Sequence, residues 1–422
     1  MAAGVFIVRD WNTNMSYFND MVLFDNYSLA FSGLLILISF LWFVLSPAYV
    51  HDKEHEVDYF SLIIFALIGG VILVSYSNII MLFLGLEILS ISMYILAGSN
   101  KRSLASNEAA LKYFLMGSFA TCFLLFGIAL IYGQTGSFNL STIASSISQI
   151  SGNSKMLDAG VLLMMIAMLF KVSAAPFHFW APDVYQGSPT IITVYMSTVV
   201  KTAAFAAFFK LFMTLFGGIE GLWFSSLWII SAATILIGNI TAVFQTNVKR
   251  MLAYSSISHA GYMLLAILAM NNSSASSLLF YTLAYSLSSF ASFAILLLVN
   301  KSVGVESLES FYGLAKKNPL LGAATVVAML SLAGIPPAAG FFAKYYIFSA
   351  AIQSGLTSLV IIAIGGSLIG VFYYFRLIIA LFKEKDAAYI AMSGNEKAII
   401  VFVSLATIVL GILPGIITGL LG

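Results

Sequence analysis

Apolar runs of membrane length, two of them interrupted by proline and lysine, confine this chain to helices in a bilayer. A span needs about 20 apolar residues. Twelve stretches qualify, at roughly 27–49, 59–76, 78–98, 107–133, 157–181, 189–216, 223–245, 250–270, 276–300, 319–348, 356–382 and 397–420. They are too long for the alternating segments of a membrane barrel, so strands are not expected. The fold expected is an all-α polytopic membrane protein of about 12 transmembrane helices. Composition agrees: 9% of residues are charged, against roughly 25% in a soluble domain, and mean hydropathy is +1.01. A net charge of +2 without a basic patch gives nucleic acid no footing, so membrane lipid is the expected surrounding. The single cysteine, Cys122, excludes an internal disulfide and any cluster built on several thiolates. No basic stretch followed by a short apolar region opens the chain, so no cleaved signal peptide is expected.

Loop charge sets the orientation. Loops after odd spans carry Lys53, Lys101, Arg102, Lys249, Arg250, Lys301, Lys316, Lys317, Lys383, Lys385 and Lys397. Loops after even spans carry only Lys155, and the N-terminal tail adds Arg9. Odd loops are therefore expected in the cytoplasm and both termini outside. The Ser/Asn/Gly-rich segment 134–156 is expected as an external loop.

Two spans are broken. The fifth contains Phe170-Lys-Val-Ser-Ala-Ala-Pro-Phe-His178, and the tenth contains Gly334-Ile-Pro-Pro337 with Lys344 beyond. A lysine in hydrocarbon is costly, and an interior proline removes a helix hydrogen bond. Broken helices are tolerated in membranes only against protein or a wet cavity. The pair points to a path for protons or ions.

Seven charged residues fall inside spans. Glu87, near the middle of the third, lies roughly 14 Å from either end and does not reach the surface. It is either a protonated acid bonded to a carbonyl or a functional carboxylate. Lys171 pairs with Glu87 either permanently or switchably, and the switchable pair is the favoured reading. Lys201 follows Ser197 and Thr198 with no second deep carboxylate to pair it, which points to a proton carrier. Lys344 either carries protons or snorkels outward. Lys112 stands four residues after Glu108, the spacing of a helical ion pair, which could face a neighbouring subunit. Lys210 and Arg376 are expected to snorkel. His259, preceded by Tyr254, Ser255, Ser256 and Ser258, is either a relay or a satisfied histidine, and His178 is placed to cap carbonyls freed by the break. The run His51-Asp-Lys-Glu-His55 spells a zinc-protease pattern, but in a short loop rather than on a helix. No G-x-G-x-x-G or P-loop is present, so no nucleotide or flavin site is expected.

Several runs resemble the N-subunit family of proton-pumping NADH:quinone oxidoreductase, respiratory complex I. They are Phe83-Leu-Gly-Leu-Glu-Ile-Leu-Ser90, Ser106-Asn-Glu-Ala-Ala-Leu-Lys-Tyr-Phe-Leu-Met-Gly117, Ala175-Pro-Phe-His-Phe-Trp-Ala-Pro-Asp-Val-Tyr-Gln-Gly187 and Gln245-Thr-Asn-Val-Lys-Arg-Met-Leu-Ala-Tyr-Ser-Ser-Ile-Ser-His259. Gly334-Ile-Pro-Pro337 and Gly340-Phe-Phe-Ala-Lys344 match too. The resemblance implies two inverted five-helix repeats with two discontinuous helices. They would be 59–216 and 217–382, flanked by a tail and first helix at 1–58 and a loop and helix at 383–422. It places the proton path on Glu87, Lys171, Lys201 and Lys344, with Glu108 as a secondary glutamate. It puts NAD, FMN, iron–sulfur clusters and quinone in partner subunits and no cofactor in this chain. It implies K-like and M-like neighbours and a bacterial inner-membrane location with both termini periplasmic. The usual bacterial member has fourteen spans; the two missing here would precede the first, leaving the repeats whole. A standalone cation/proton antiporter is the alternative.

Overall fold

Helix after helix crosses the molecule, and the two broken ones face its middle. The structure is a computed structural model that describes residues 2–50, 55–149, 154–384 and 389–421. A short helix, α1 (Ala2–Arg9), and a hairpin of β1 (Met15–Tyr17) with β2 (Val22–Phe24) precede the first span. This hairpin is the one departure from an all-helical expectation among the described residues. The first half continues as α2 (Asn26–Leu45), α3 (Glu56–Ser75), α4 (Ile79–Ala97), α5 (Leu104–Thr135), α6 (Leu140–Gln149), α7 (Lys155–Lys171), α8 (Trp180–Gly187), α9 (Thr190–Tyr195) and α10 (Lys201–Leu211). The second half holds α11 (Glu220–Val243), α12 (Val248–Ala269), α13 (Ser274–Val303), α14 (Leu314–Lys317), α15 (Pro319–Ala333), α16 (Ala339–Gln353) and α17 (Thr357–Phe382). Then come α18 (Gly394–Ile412) and α19 (Gly415–Thr418).

Among the described residues nine helical stretches are long and apolar enough to cross a membrane. One of them, Thr190–Val243, holds two expected spans. The two remaining expected spans are the broken ones, which accounts for all twelve. The fifth breaks earlier than its hydropathy suggests, because α7 stops at Lys171 and helix resumes only at Trp180. The segment expected as a loop at 134–156 contains α6, whose Ile143 and Ile147 are buried while its serines face outward. Three apolar positions among many hydroxyls were enough for an amphipathic turn of helix. The helix from Thr190 to Phe216 is continuous but has π-helical turns at 196–200 and 212–216, a local irregularity often found at functional sites.

The halves share a packing plan. In each, the first two helices lie against one another (α3 on α4, α11 on α12), and the third runs along both parts of the broken helix (α5 on α7 and α8, α13 on α15 and α16). Glycine makes the tight pairings possible. A methyl on Gly69 would meet the Leu89 backbone at 2.6 Å, and one on Gly238 would meet the Ser258 backbone at 2.5 Å. Small residues at helix contacts are what membrane packing requires, since lipid supplies no hydrophobic drive. α12 and α13 form the centre: the apolar window of α13 is wholly buried.

Candidate functional site

Three lysine ammonium groups lie inside the protein, each held by uncharged groups. Lys171 ends α7, where the chain leaves helix through Ser173 at φ 60°. The break's freed groups find partners: Trp180 donates to the Phe170 carbonyl at 3.1 Å, and the Ala175 N–H donates to Thr234 Oγ1 at 2.9 Å. His178, placed by the sequence to cap these carbonyls, is buried at 5% exposure, and its Nδ1 has no hydrogen-bond partner among the described residues. Lys171 Nζ donates to Ser90 Oγ at 2.7 Å and to the Tyr94 hydroxyl at 3.1 Å, both on α4. Glu87 instead accepts from Thr121 Oγ1 on α5 at 2.7 Å. The expected Glu87–Lys171 contact is thus open in this structure. The reason is geometric: Glu87, Ser90 and Tyr94 follow the i, i+3, i+7 spacing of one helix face, and Lys171 engages it about one turn past Glu87.

Lys201 begins α10 directly after the π turn and donates to the carbonyl and hydroxyl of Ser256 on α12. One turn along α12, His259 hydrogen-bonds the Tyr281 hydroxyl through Nδ1 at 2.7 Å and the Tyr374 hydroxyl through Nε2 at 3.2 Å. Tyr374 also bonds Ser255. A small cavity of about 10 Å³ lies beside His259, lined by Tyr285, Ser288 and Ser331, room for about one water. Beyond it Lys344 reaches back from α16 to the Ala333 carbonyl at 2.8 Å and to Ser367 Oγ at 2.7 Å. Its charge meets the freed C-terminus of α15, where the helix dipole favours a cation. Lys344 is only 7% exposed, so the snorkelling alternative does not hold. Among the described residues no carboxylate lies within ion-pair distance of Lys171, Lys201 or Lys344.

Buried tyrosines fill the gap between Lys171 and Lys201. Tyr94 packs edge-on against Tyr113 at 4.7 Å, and Tyr113 stacks on Trp180 at 4.7 Å. Tyr185 stands edge-on to Trp180 at 6.3 Å, and its carbonyl accepts from Thr193 Oγ1, about two turns before Lys201 on the same helix, at 2.9 Å. Sequence reading missed these tyrosines, since 20 are scattered along the chain and none stands out by spacing.

Glu108 stands apart from this interior. It forms the helical ion pair with Lys112 at 2.7 Å. Lys112 also bonds Asp183 on α8 at 2.8 Å, and Asp183 accepts from Arg250 on α12 at 2.8 Å. The network ties three helices at the end of the broken one. Partial burial pushes the Asp183 carboxyl up, but the hydrogen bonds and charges of Lys112 and Arg250 outweigh it and hold the acid below its usual value. A depressed carboxylate stabilises the fold above its unfolded pKa, and the effect fades as pH falls through the folded value. Asp183→Asn is therefore expected to lower the melting temperature at pH 7 by the equivalent of about 1 kcal/mol or less, because the pair is partly exposed. The gap from the parent protein should narrow below about pH 4. Thermal melts at both pH values check this, and a gap that widens in acid would contradict it.

Two expectations are corrected. Lys210 does not snorkel: its Nζ is buried without a hydrogen-bond partner among the described residues, 5.5 Å from the Tyr76 ring centre. Arg376 does not snorkel either. It donates to the Val243 carbonyl at 2.8 Å and to that of Gln245, capping the end of α11. For Arg376 the carbonyls freed at the end of α11 supply the partners that snorkelling would have sought in the headgroups. The zinc-like pattern at 51–55 falls mostly outside the described residues; His55 lies 3.4 Å from Asp58. Lys249, counted above with the loop cations, is buried at 2% exposure, 3.6 Å from Glu306.

The sequence pattern of the family described as "NADH:quinone oxidoreductase/Mrp antiporter, TM" matches residues 77–370. NADH-quinone oxidoreductase subunit N of Cytophaga hutchinsonii is 45% identical over 410 residues, covering 96% of this chain and 89% of that one. The subunit N of Trichlorobacter lovleyi is 40% identical over 423 residues, covering 99% and 87%. Among solved structures, respiratory complex I from Thermus thermophilus with bound aureothin contains a chain that superposes with a TM-score of 0.86 at 34% identity. That match covers 99% of this chain and 91% of the other. The Mrp complex from Dietzia superposes at 0.87 with 20% identity, covering 100% and 88%, a likeness of fold alone.

Proposed function

The chain belongs to the subunit N family of NADH:quinone oxidoreductase, and we propose that it passes protons across the membrane along Lys171, Lys201, His259 and Lys344. As an antiporter-like membrane subunit it has no redox centre of its own. Electrons pass from NADH through FMN and iron–sulfur clusters to quinone in partner subunits. The observation that carries the reading is the trio of buried ammonium groups whose partners are all neutral. An ammonium bonded to hydroxyls and carbonyls loses its proton far more readily than one bonded to a carboxylate.

In this reading the structure corresponds to the open state of the Glu87–Lys171 pair. Closing it moves Lys171 by about one helical turn along α4. Pulling one partner from a buried pair changes energy by ~3–5 kcal/mol, and moving one proton against ~200 mV takes about 4.6 kcal/mol. The magnitudes match, so the pair is a suitable gate. From Lys171 the proton follows the tyrosines to Lys201, then His259 to Lys344 and out. Glu108 and Lys112, at the surface, face a neighbouring membrane-arm subunit, K-like on one side of the chain and M-like on the other. The repeats are 59–216 and 217–382, between a leading helix within 1–58 and a closing one within 383–422. The loop charges support a bacterial inner-membrane orientation with both termini periplasmic.

Purification through a tag on this chain is the direct test. It is expected to recover a multisubunit membrane arm active in NADH:quinone reduction. Recovery as a lone chain exchanging cations for protons would overturn the assignment.

A further inference from the structure

Apart from the path just described, the molecule carries a polar cavity of about 420 Å³. It is walled by Asn100, Ser103, Gln186, Thr190, Asn247 and Glu306. These residues come from the ends of α4, α8 and α13 and the starts of α5, α9 and α12, all on the side to which the loop charges assign the cytoplasm. Beside it sits an ion pair the relay does not use. Lys249 Nζ stands 3.6 Å from Glu306 Oε1 and donates to the carbonyls of Ser188 at 2.7 Å and Gln186 at 3.2 Å. Glu306 Oε1 also accepts from Thr190 Oγ1 at 2.9 Å and Asn300 Nδ2 at 3.1 Å. The Val248 N–H donates to the Glu306 carbonyl and the Leu308 N–H to that of Thr246, which pins the carboxylate's backbone in place.

From this pair hydroxyls lead inward. Thr190, Thr193, Ser197 and Lys201 recur at intervals of three, four and four residues along the continuous helix that carries the π turn. On α12, Ser256 follows Lys249 by two turns, about 10.5 Å, and Ser256 holds Lys201. Tyr185 on α8 is tied to this helix, its carbonyl accepting from Thr193 Oγ1 at 2.9 Å.

We infer that the cavity is a second proton-uptake mouth, opening to Lys201 rather than to Lys171, and that the Lys249–Glu306 pair is its gate. The inference rests on the relay reading above. Glu306 takes one proton from cytoplasmic water and becomes neutral. Lys249 gives one proton inward along the hydroxyls to neutral Lys201. Glu306 then returns its proton to Lys249. One proton has moved from water to Lys201, and the pair is restored.

The test uses the whole complex in inverted membranes with an uncoupler, reading NADH:quinone turnover and assembly on native gels. Glu306→Ala is expected to assemble and to slow turnover several-fold, and formate, small enough for the cavity, is expected to restore the rate. Wild-type turnover in the assembled variant would overturn the inference. So would slow turnover that formate does not rescue, because that marks a latch between helices and not a proton carrier. Should the alanine variant fail to assemble, Glu306→Gln keeps the side chain's size and decides on the rate alone: slowed turnover supports the gate and wild-type turnover overturns it. Lys201→Met separates the two readings. If it leaves pumping intact, the relay itself is wrong; if it blocks pumping while both Glu306 variants run normally, only the mouth is wrong.

Discussion

Membranes carrying Lys201→Met are expected to contain a fully assembled complex whose proton flux through this subunit has fallen by about 10²-fold or more, the usual contribution of a positioned proton-transfer group. The expected split between stability and activity is the informative part. Lys201 is 3% exposed, with no carboxylate within ion-pair distance among the described residues. Methionine has a similar length and carries no charge, and replacing a buried charge by an apolar group of like volume is often neutral or stabilising. The melting temperature should therefore hold or rise while pumping is lost. The two bonds to Ser256 and the approach of the ammonium to the Tyr285 ring, 5.8 Å from its centre, are what the substitution removes. Proton release per electron, measured in proteoliposomes beside a melting curve, checks both halves. A variant that melts early and pumps poorly would make Lys201 a structural residue. One that pumps normally would remove it from the path.

The second large effect concerns the other broken helix. Gly340→Ala is expected to destabilise the protein by at least the ~1–3 kcal/mol typical of overpacking, and to reduce the assembled complex on native gels. A methyl at Gly340 would overlap the Ser331 carbonyl oxygen and stand 2.6 Å from its carbon. Both are backbone atoms at the end of α15, so no side-chain rotation relieves the clash, and α16 must move off α15. That movement carries Lys344, four residues on, away from the Ala333 carbonyl it caps. It also breaks the bond from the Gly340 N–H to Ser331 Oγ, which itself accepts from Ser288. Gly365→Ala is the control. On α17 nothing lies within 4 Å of the added methyl, and a helical Gly→Ala change in open space is stabilising by about 0.4–1 kcal/mol. Equal melting of the two variants would refute the close approach of α15 and α16.

How much of this was legible beforehand depended on the physics of each residue. Span positions followed from hydropathy because hydrocarbon allows little else, and the deep lysines stood out because lipid makes an amine conspicuous. The partners were another matter. Ser90, Tyr94, Ser256 and Ser367 are ordinary residues for a membrane helix, and only the fold brings them to a lysine. The charges of Glu87 and Lys171 point to a switchable pair but not to which state the fold holds. The fold seats Lys171 a turn further along, where two hydroxyls replace one carboxylate. Lys249 hid beside Arg250 as one more loop cation. Lys210 and Arg376 were assigned to the headgroups by their nearness to span ends, but the distance to a neighbouring helix is not written in a single sequence.

The enclosure of α13 has a consequence for biogenesis. Its cover comes from both sides of the sequence: α2 and α9 are made before it, α15, α16 and α18 after it. While the ribosome is still building those later segments, the serines and tyrosines of α13 are left facing acyl chains. The centre of the molecule cannot close until α18 has been synthesised, so premature termination between Val303 and α18 would strand a hydroxyl-rich helix in lipid.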